Sequence, residues 1–217
     1  MSLAPIVGLL LGVVCGLPLL IARDRPLVSL LVCVAAFGLL AWFTRALHLD
    51  GLADTADALG SGKPAEQALE IARKSDIGPF GVITLVFTLL LQFAAVASFA
   101  DAGQAYLAFL VAVVTGRVAL TWACTRAWPA ARTNGLGAMV ASSVPLGIAV
   151  IWTILGLALG GWLLGITGAV SVAFGILAGI AMLAIARRRL GGVTGDVLGA
   201  TIEIASTVVI VALAIAP

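Results

Sequence analysis

Residues 27–57 read LVSLLVCVAAFGLLAWFTRALHLDGLADTAD, an apolar run that passes directly into an acidic segment. The run from Leu27 to Leu47, interrupted only by Arg45 near its end, is long enough to cross the hydrocarbon of a bilayer as a helix. The segment that follows carries Asp50, Asp54 and Asp57 at positions i, i+4 and i+7. On a helix these side chains fall within about 60° of one another and share a face. Three carboxylates crowded at a membrane edge repel each other unless a cation fills the space between them.

Composition extends the membrane reading to the whole chain. Of 217 residues, 62% are hydrophobic and 10% charged, and the mean hydropathy is +1.21. These values exclude a soluble domain and define an all-α, polytopic integral membrane helix bundle, a single transmembrane domain over residues 1–217. Seven spans are expected: Leu3 to Ile21, Leu27 to Leu47, Phe80 to Ala100, Tyr106 to Thr125, Met139 to Leu159, Trp162 to Ala184 and Leu198 to Ala216. The fifth and sixth form one apolar stretch that Gly160-Gly161 divides, so six or eight spans stay open. Met1 to Pro5 has no basic residue, which argues against a cleavable signal. Cys15, Cys33 and Cys124 stand singly in apolar segments and read as packing residues.

Glycines at helical spacing suit close helix packing: Gly8, Gly12 and Gly16, then Gly156/Gly160, Gly161/Gly165 and Gly175/Gly179. Such faces would also permit association between copies of the chain. Trp42, Trp122, Trp128, Trp152 and Trp162 stand near span ends and read as interfacial anchors.

If spans alternate, one side carries Lys63, Arg73, Lys74, Arg126, Arg132, Arg187, Arg188 and Arg189, the other Arg23 and Arg25. The bias puts the first side, with the N-terminus, in the cytoplasm. Eight of the ten acids, all but Asp24 and Asp101, fall on that side or just beneath it. Charge is therefore concentrated at one end, where an active site facing the cytoplasm is expected.

A second acidic segment begins at Gly191-Gly192-Val193-Thr194-Gly195-Asp196 and reaches Glu203. Asp196 and Glu203 share a face if the last span starts near Asp196, Thr194 is its expected cap, and Gly195 keeps the approach compact. Helix-start amides beside a carboxylate and an arginine run suit an anionic, metal-bound ligand; a glycine turn with a positive anchor is the alternative. Arg117, inside the fourth span, either snorkels or meets an acid or a phosphate. Arg132 precedes Thr133-Asn134-Gly135-Leu136-Gly137, where Gly135 and Gly137 let backbone amides approach a phosphate and the arginine forks onto its oxygens, unless it is simply an anchor.

Together these parts suit a phosphorylated substrate held through Mg²⁺, which takes oxygen ligands and bridges carboxylates to phosphates. A single histidine and scattered cysteines disfavour zinc. No nucleic-acid partner is expected. A cation transporter would need polar groups through the full membrane depth, and the outer half has almost none. An enzyme of the CDP-alcohol phosphatidyltransferase type would show Asp-Gly-x-x-Ala-Arg, whereas Asp54 follows Ala53 here.

The stretch His48 to Leu59, then Leu69-Glu70-Ile71 through Ser75, Ile77-Gly78, Phe80-Gly81, Gly191-Gly192 and Thr194 to Ala200, resembles the cobalamin synthase (adenosylcobinamide-GDP ribazoletransferase) family, in the same order along the whole chain. The resemblance implies an Mg²⁺-dependent enzyme of the bacterial inner membrane. It would join adenosylcobinamide-GDP to α-ribazole, or its 5′-phosphate, releasing GMP. It further implies that Asp50, Asp54 and Asp57 form a first metal-binding cluster, with Asp196 as the carboxylate of the far motif and Glu203 assisting. His48 would orient a substrate phosphate, cap the span or, less in keeping with the pattern, act as general base. Ser75, Gly78, Thr194 and Gly195 would bind substrate. One stretch departs from the commoner pattern: Arg73-Lys74-Ser75-Asp76 stands where many members resemble Lys-Asp-Ser-Arg, so no fixed role follows for Lys74 or Asp76.

Overall fold

The structure, a computed structural model, describes residues 1–21, 26–74, 76–99 and 101–216. The described residues form nine α-helices and no strand, beyond a single parallel bridge between Ala130 and Val193. The helices are α1 (Ala4–Gly16), α2 (Pro26–Phe43), α3 (Leu47–Gly60), α4 (Ala65–Ile71), α5 (Pro79–Ala97), α6 (Ala102–Ala123), α7 (Leu136–Val140), α8 (Leu146–Leu190) and α9 (Gly195–Ile215). A short 3-10 turn, Leu17–Ile21, extends α1.

Local signals set the ends. Proline opens α5 at Pro79, where a missing N–H costs nothing, and Asp101 caps α6 by accepting the Gln104 N–H at 2.9 Å. Thr194 caps α9 as expected, its Oγ1 accepting the Val197 N–H at 3.2 Å. At the other end of α8, Arg187, Arg188 and Arg189 fill the last turn, and Gly191, at φ 86°, stops it.

The helix α6 forms the centre. It is buried along nearly its whole length, with α1, α8 and α9 packed around it, which is why its sequence shows no polar stripe. The Gly8, Gly12 and Gly16 face of α1 lies directly on it: a Cβ at Gly12 would sit 2.7 Å from Leu110 Cδ1, and one at Gly16 would sit 3.0 Å from the Tyr106 ring. Gly175 and Gly179 of α8 meet α9 and α6 in the same way. These glycine faces are thus used within the chain.

The helix α8 holds the expected fifth and sixth spans. Non-helical angles at Leu164 and at Gly165 (φ 67°) fold it back, and a Cβ on Gly160 would stand 2.8 Å from the Gly168 carbonyl oxygen. The fold-back lies at Gly165 rather than at Gly160-Gly161. In hydrocarbon a helix keeps its backbone bonds through a glycine pair, and the bend falls where one glycine adopts a left-handed conformation. Gly160 instead allows the two arms to touch.

Two further boundaries differ from the expected spans. The second span ends at Phe43 rather than Leu47, because Arg45 and Ala46 take left-handed angles (φ 54° and 56°) and α3 leaves α2 at 88°. Two such non-glycine residues are each unfavourable by roughly 1–2 kcal/mol, so the packing of α3 must hold the turn. Met139 lies on α7, separated from α8 by Ser142 at φ 61°, so the fifth span starts at Leu146. Trp42 and Trp162 are exposed, as membrane anchors would be. Trp122 and Trp152 are not anchors of that kind: their Nε1 groups donate to Thr153 Oγ1 at 2.9 Å and to the Ser2 carbonyl at 2.7 Å, tying α6 and the N-terminus to α8.

Candidate active site

The two acidic segments meet where α3 crosses the start of α9. A Cβ at Gly51 would stand 2.7 Å from the Asp196 carbonyl oxygen, and one at Gly199 would stand 3.1 Å from the His48 Cα. The chains run antiparallel through this contact, which brings His48 and Asp50 beside Asp196. Their meeting place opens into a cavity of about 360 Å³ whose lining includes all three, with Arg132, Thr194 and Gly195.

The opposite wall is the loop after α6. Gly135 and Gly137 line the cavity, and Gly137 lies so close to the α9 approach that a Cβ would be 2.7 Å from the Thr194 Cα. Ala131 N–H donates to the Val193 carbonyl at 2.9 Å, and Val193 N–H donates to the Pro129 carbonyl at 2.8 Å, locking the two loops together. Arg132 donates to the Leu69 carbonyl, while Arg73 donates to Asn134 Oδ1 at 3.3 Å, so α4 is bound to the same loop. Burial, and then the Arg73 charge, hold the Arg132 guanidinium below its usual range, opposed by Asp196. The Arg132 guanidinium and a glycine loop opposite carboxylates can receive the phosphate of a metal-bound ligand.

On the acidic wall, Asp54 is pushed up to about 6, chiefly by burial and then by Asp50, Asp196 and, least, Asp57. Asp57 is directed elsewhere. Its Oδ2 accepts the Gly78 N–H at 2.7 Å and its Oδ1 the Gly81 N–H at 2.9 Å, capping α5. Both glycines are required there, since a Cβ at either would lie 2.5 Å from a carboxylate oxygen of Asp57. Gly78, expected to bind substrate, thus spends its amide on Asp57. An Asp57→Asn variant turns one amide donor toward another. It is expected to lose about 1–2 kcal/mol of stability, read as a lowered midpoint in thermal unfolding in detergent, with activity falling less than for changes at Asp50, Asp54 or Asp196.

Glu203 and Arg117 lie deeper than the cavity. Seven residues along α9 place Glu203 about 10 Å further along the helix axis than Asp196, so a shared face does not bring the two side chains together. Glu203 is buried and accepts from Gln92 Nε2 at 3.1 Å. Arg117, also buried, donates from Nη1 to the Val113 carbonyl at 3.3 Å and from Nη2 to His48 Nδ1 at 3.4 Å. Burial, then the Arg117 charge, pull the His48 imidazole down to about 3, so it is neutral at physiological pH. Ser75 lies outside the described residues.

Among the described residues no three His, Cys, Asp or Glu side chains converge into a closed metal cage. The donor set nevertheless suits Mg²⁺. This ion keeps several waters and needs only one or two carboxylates plus substrate phosphates, and crowded acids of raised affinity for protons gain from a bound cation. Asp50 and Asp196, with Asp54 beside them, are the residues that would hold it. Residues that sequence reasoning missed include Asn134 and Arg73, whose side chains join across 61 positions, and Gln92. A polar residue in mid-span was the available signal for Gln92.

A polytopic helix bundle that gathers acids and arginines from distant segments around one end-on cavity is the build of a membrane enzyme for an anionic substrate. Comparison with known proteins narrows this class. The chain belongs to the cobalamin-5-phosphate synthase family, whose model matches residues 1–214. It is 39% identical over 239 residues to the adenosylcobinamide-GDP ribazoletransferase of Frankia casuarinae, covering 99% of this chain and 85% of that protein. It is 40% identical to the protein of the same name from Nocardioides sp., over 94% and 82% of the two chains, and 41% identical to that of Stutzerimonas stutzeri, over 97% and 84%. No solved structure matches the chain.

Proposed function

We propose that this chain is a transferase that joins adenosylcobinamide-GDP to α-ribazole, or to its 5′-phosphate, giving adenosylcobalamin, or its 5′-phosphate, and GMP. The observation that carries the reading is the Gly51–Asp196 contact. The two stretches that most resemble the family, 145 residues apart, meet there to wall one cavity.

In this reaction a ribazole hydroxyl oxygen bonds to the phosphorus that bears the cobinamide, its proton passes to water, the pyrophosphate P–O bond breaks, and GMP leaves with the bonding pair. Mg²⁺ would supply charge neutralisation at the phosphates and at the leaving oxygen. Asp50, Asp54 and Asp196 would hold it. Arg132, with the backbone of Gly135, Gly137 and Gly195, would bind and orient the phosphates. Thr194 Oγ1, which donates to Asp196 Oδ2 at 3.2 Å, steadies that carboxylate.

The reading also places the protein in a bacterial inner membrane with the cavity facing the cytoplasm. Its support is the clustering of Lys63, Arg73, Lys74, Arg126, Arg132 and Arg187 to Arg189 in the segments that frame the site. The decisive assay supplies membranes containing the chain with Mg²⁺, adenosylcobinamide-GDP and α-ribazole. GMP release that stops on chelation is the expected result; release no faster than in control membranes would refute the reading.

A further inference from the structure

Two buried polar groups lie in the bundle beneath the cavity, one around Glu203 and one around Arg117. Gln92, 1% exposed, donates from Nε2 to Glu203 Oε2 at 3.1 Å and to Thr207 Oγ1 at 2.8 Å, and Thr207 Oγ1 donates to the Glu203 carbonyl at 2.7 Å. Arg117, 4% exposed, lies within the field of the Glu203 carboxylate. Its stem is pressed by α1: a Cβ at Gly8 would sit 3.2 Å from the Arg117 Cβ and Cδ. The guanidinium then reaches His48 Nδ1 at 3.4 Å. A guanidinium only donates, so Nδ1 must offer its lone pair and the proton of the neutral ring sits on Nε2. Among the described residues no side chain or backbone group accepts from that nitrogen, and His48 lines the cavity with Asp50, Arg132 and Asp196.

We infer that Arg117 is a positioning residue, tied by Nη1 to the Val113 carbonyl and packed under Gly8, that holds His48 as its Nε2–H tautomer, and that His48 serves as a neutral hydrogen-bond donor to an oxygen of the anionic substrate. This deepens the transferase reading and rests on it for the identity of that oxygen, one carried by phosphorus. A ring with Nδ1 engaged and Nε2 protonated has no lone pair with which to accept a proton, so the ribazole hydroxyl does not lose its proton to His48. A fixed donor aimed at a phosphoryl oxygen instead strengthens as charge builds there. The contact with His48 also accounts for an arginine retained inside a span. Its charge lies in the field of the buried Glu203, and its guanidinium does positional work on the site.

His48 is the single histidine of the chain, so ¹⁵N-histidine labelling reports one ring. In nanodiscs at neutral pH without substrate, the ring is expected to show a bare Nδ1 and a protonated Nε2. In the double variant Arg117→Met/Glu203→Gln, which leaves neither charge buried alone, the two tautomers are expected to mix. A protonated Nδ1 in the wild type, or an unchanged ring in the double variant, would overturn the positioning role.

The donor role is read from GMP release. His48→Gln, whose amide nitrogen stands in for Nε2–H, is expected within about tenfold of wild type. His48→Ala should lose about 10²–10³ in kcat with KM little changed, the usual effect of deleting one such donor. Equal losses in both variants would overturn the donor role. The ring spectrum needs no substrate, so a wild type that releases no GMP overturns the transferase reading and the donor role while the spectrum still decides what Arg117 does.

Discussion

Asp54→Asn is expected to reduce GMP release by about 10³-fold or more and, in metal-free protein near neutral pH, to raise stability. The loss follows from removing one of the acids that hold a cation worth several kcal/mol to the transition state. The gain follows from electrostatics. Burial and the neighbouring Asp50, Asp196 and Asp57 push the Asp54 carboxyl from 3.8 to about 6. The folded state therefore binds more protons than the unfolded state between these values, and stability falls as pH rises through that window. Above it the charged carboxylate opposes folding, and asparagine removes the opposition. Because Asp54 is partly exposed, solvent screening cuts the effect to about 1 kcal/mol, a rise of roughly 2–4 °C in Tm for a chain of this size. Well below 3.8 the carboxyl is protonated in either state and the advantage should vanish. Thermal unfolding of both proteins in detergent from about pH 3 to pH 8, with chelator, checks the sign. A variant less stable than wild type at pH 8 would show that Asp54 is not held against like charge.

The second large effect needs no charged group to be touched. Gly51→Ala puts a methyl 2.7 Å from the Asp196 carbonyl oxygen and 2.9 Å from its Cα, both backbone atoms that have no freedom to swing aside. The helices α3 and α9 must separate by several tenths of an ångström or more, at a cost of about 1–3 kcal/mol of overpacking. Asp50 and Asp196 move apart with them, and a misplacement on that scale can cost about 10²-fold in rate. Gly38→Ala, on α2 and away from the cavity, is the control. Its methyl would meet nothing within 4 Å, so activity should stay within a few-fold of wild type. Parallel GMP-release assays on the two variants decide the matter. Equal activities would mean that the crossing at Gly51 does not assemble the site.

Gly51 and Gly195 mark the limit of what a linear pattern can reveal. Each stands beside an aspartate in a stretch resembling the family, and nothing in the string separates a glycine packed on backbone from one with room beside it. The same holds for the acids. Spacing puts Asp50, Asp54 and Asp57 on one face, yet Asp57 lies nearest the start of α5 and its carboxylate is taken by two amides. Likewise, Asp196 and Glu203 share a face of α9, but one faces the cavity and the other the core.

Long apolar runs and the motif order were enough to determine a polytopic helix bundle and its family. Each is a property of the chain as a string: hydrocarbon admits only helices whose backbone bonds close within the segment, and that demand is written in residue type and length. The partners of the polar groups were decided by tertiary structure. Which acid caps α5, which meets Gln92 in the core and which face one cavity depend on helix crossings set by glycines many positions apart in sequence. A buried polar group is satisfied by whatever lies within about 3 Å of it in space.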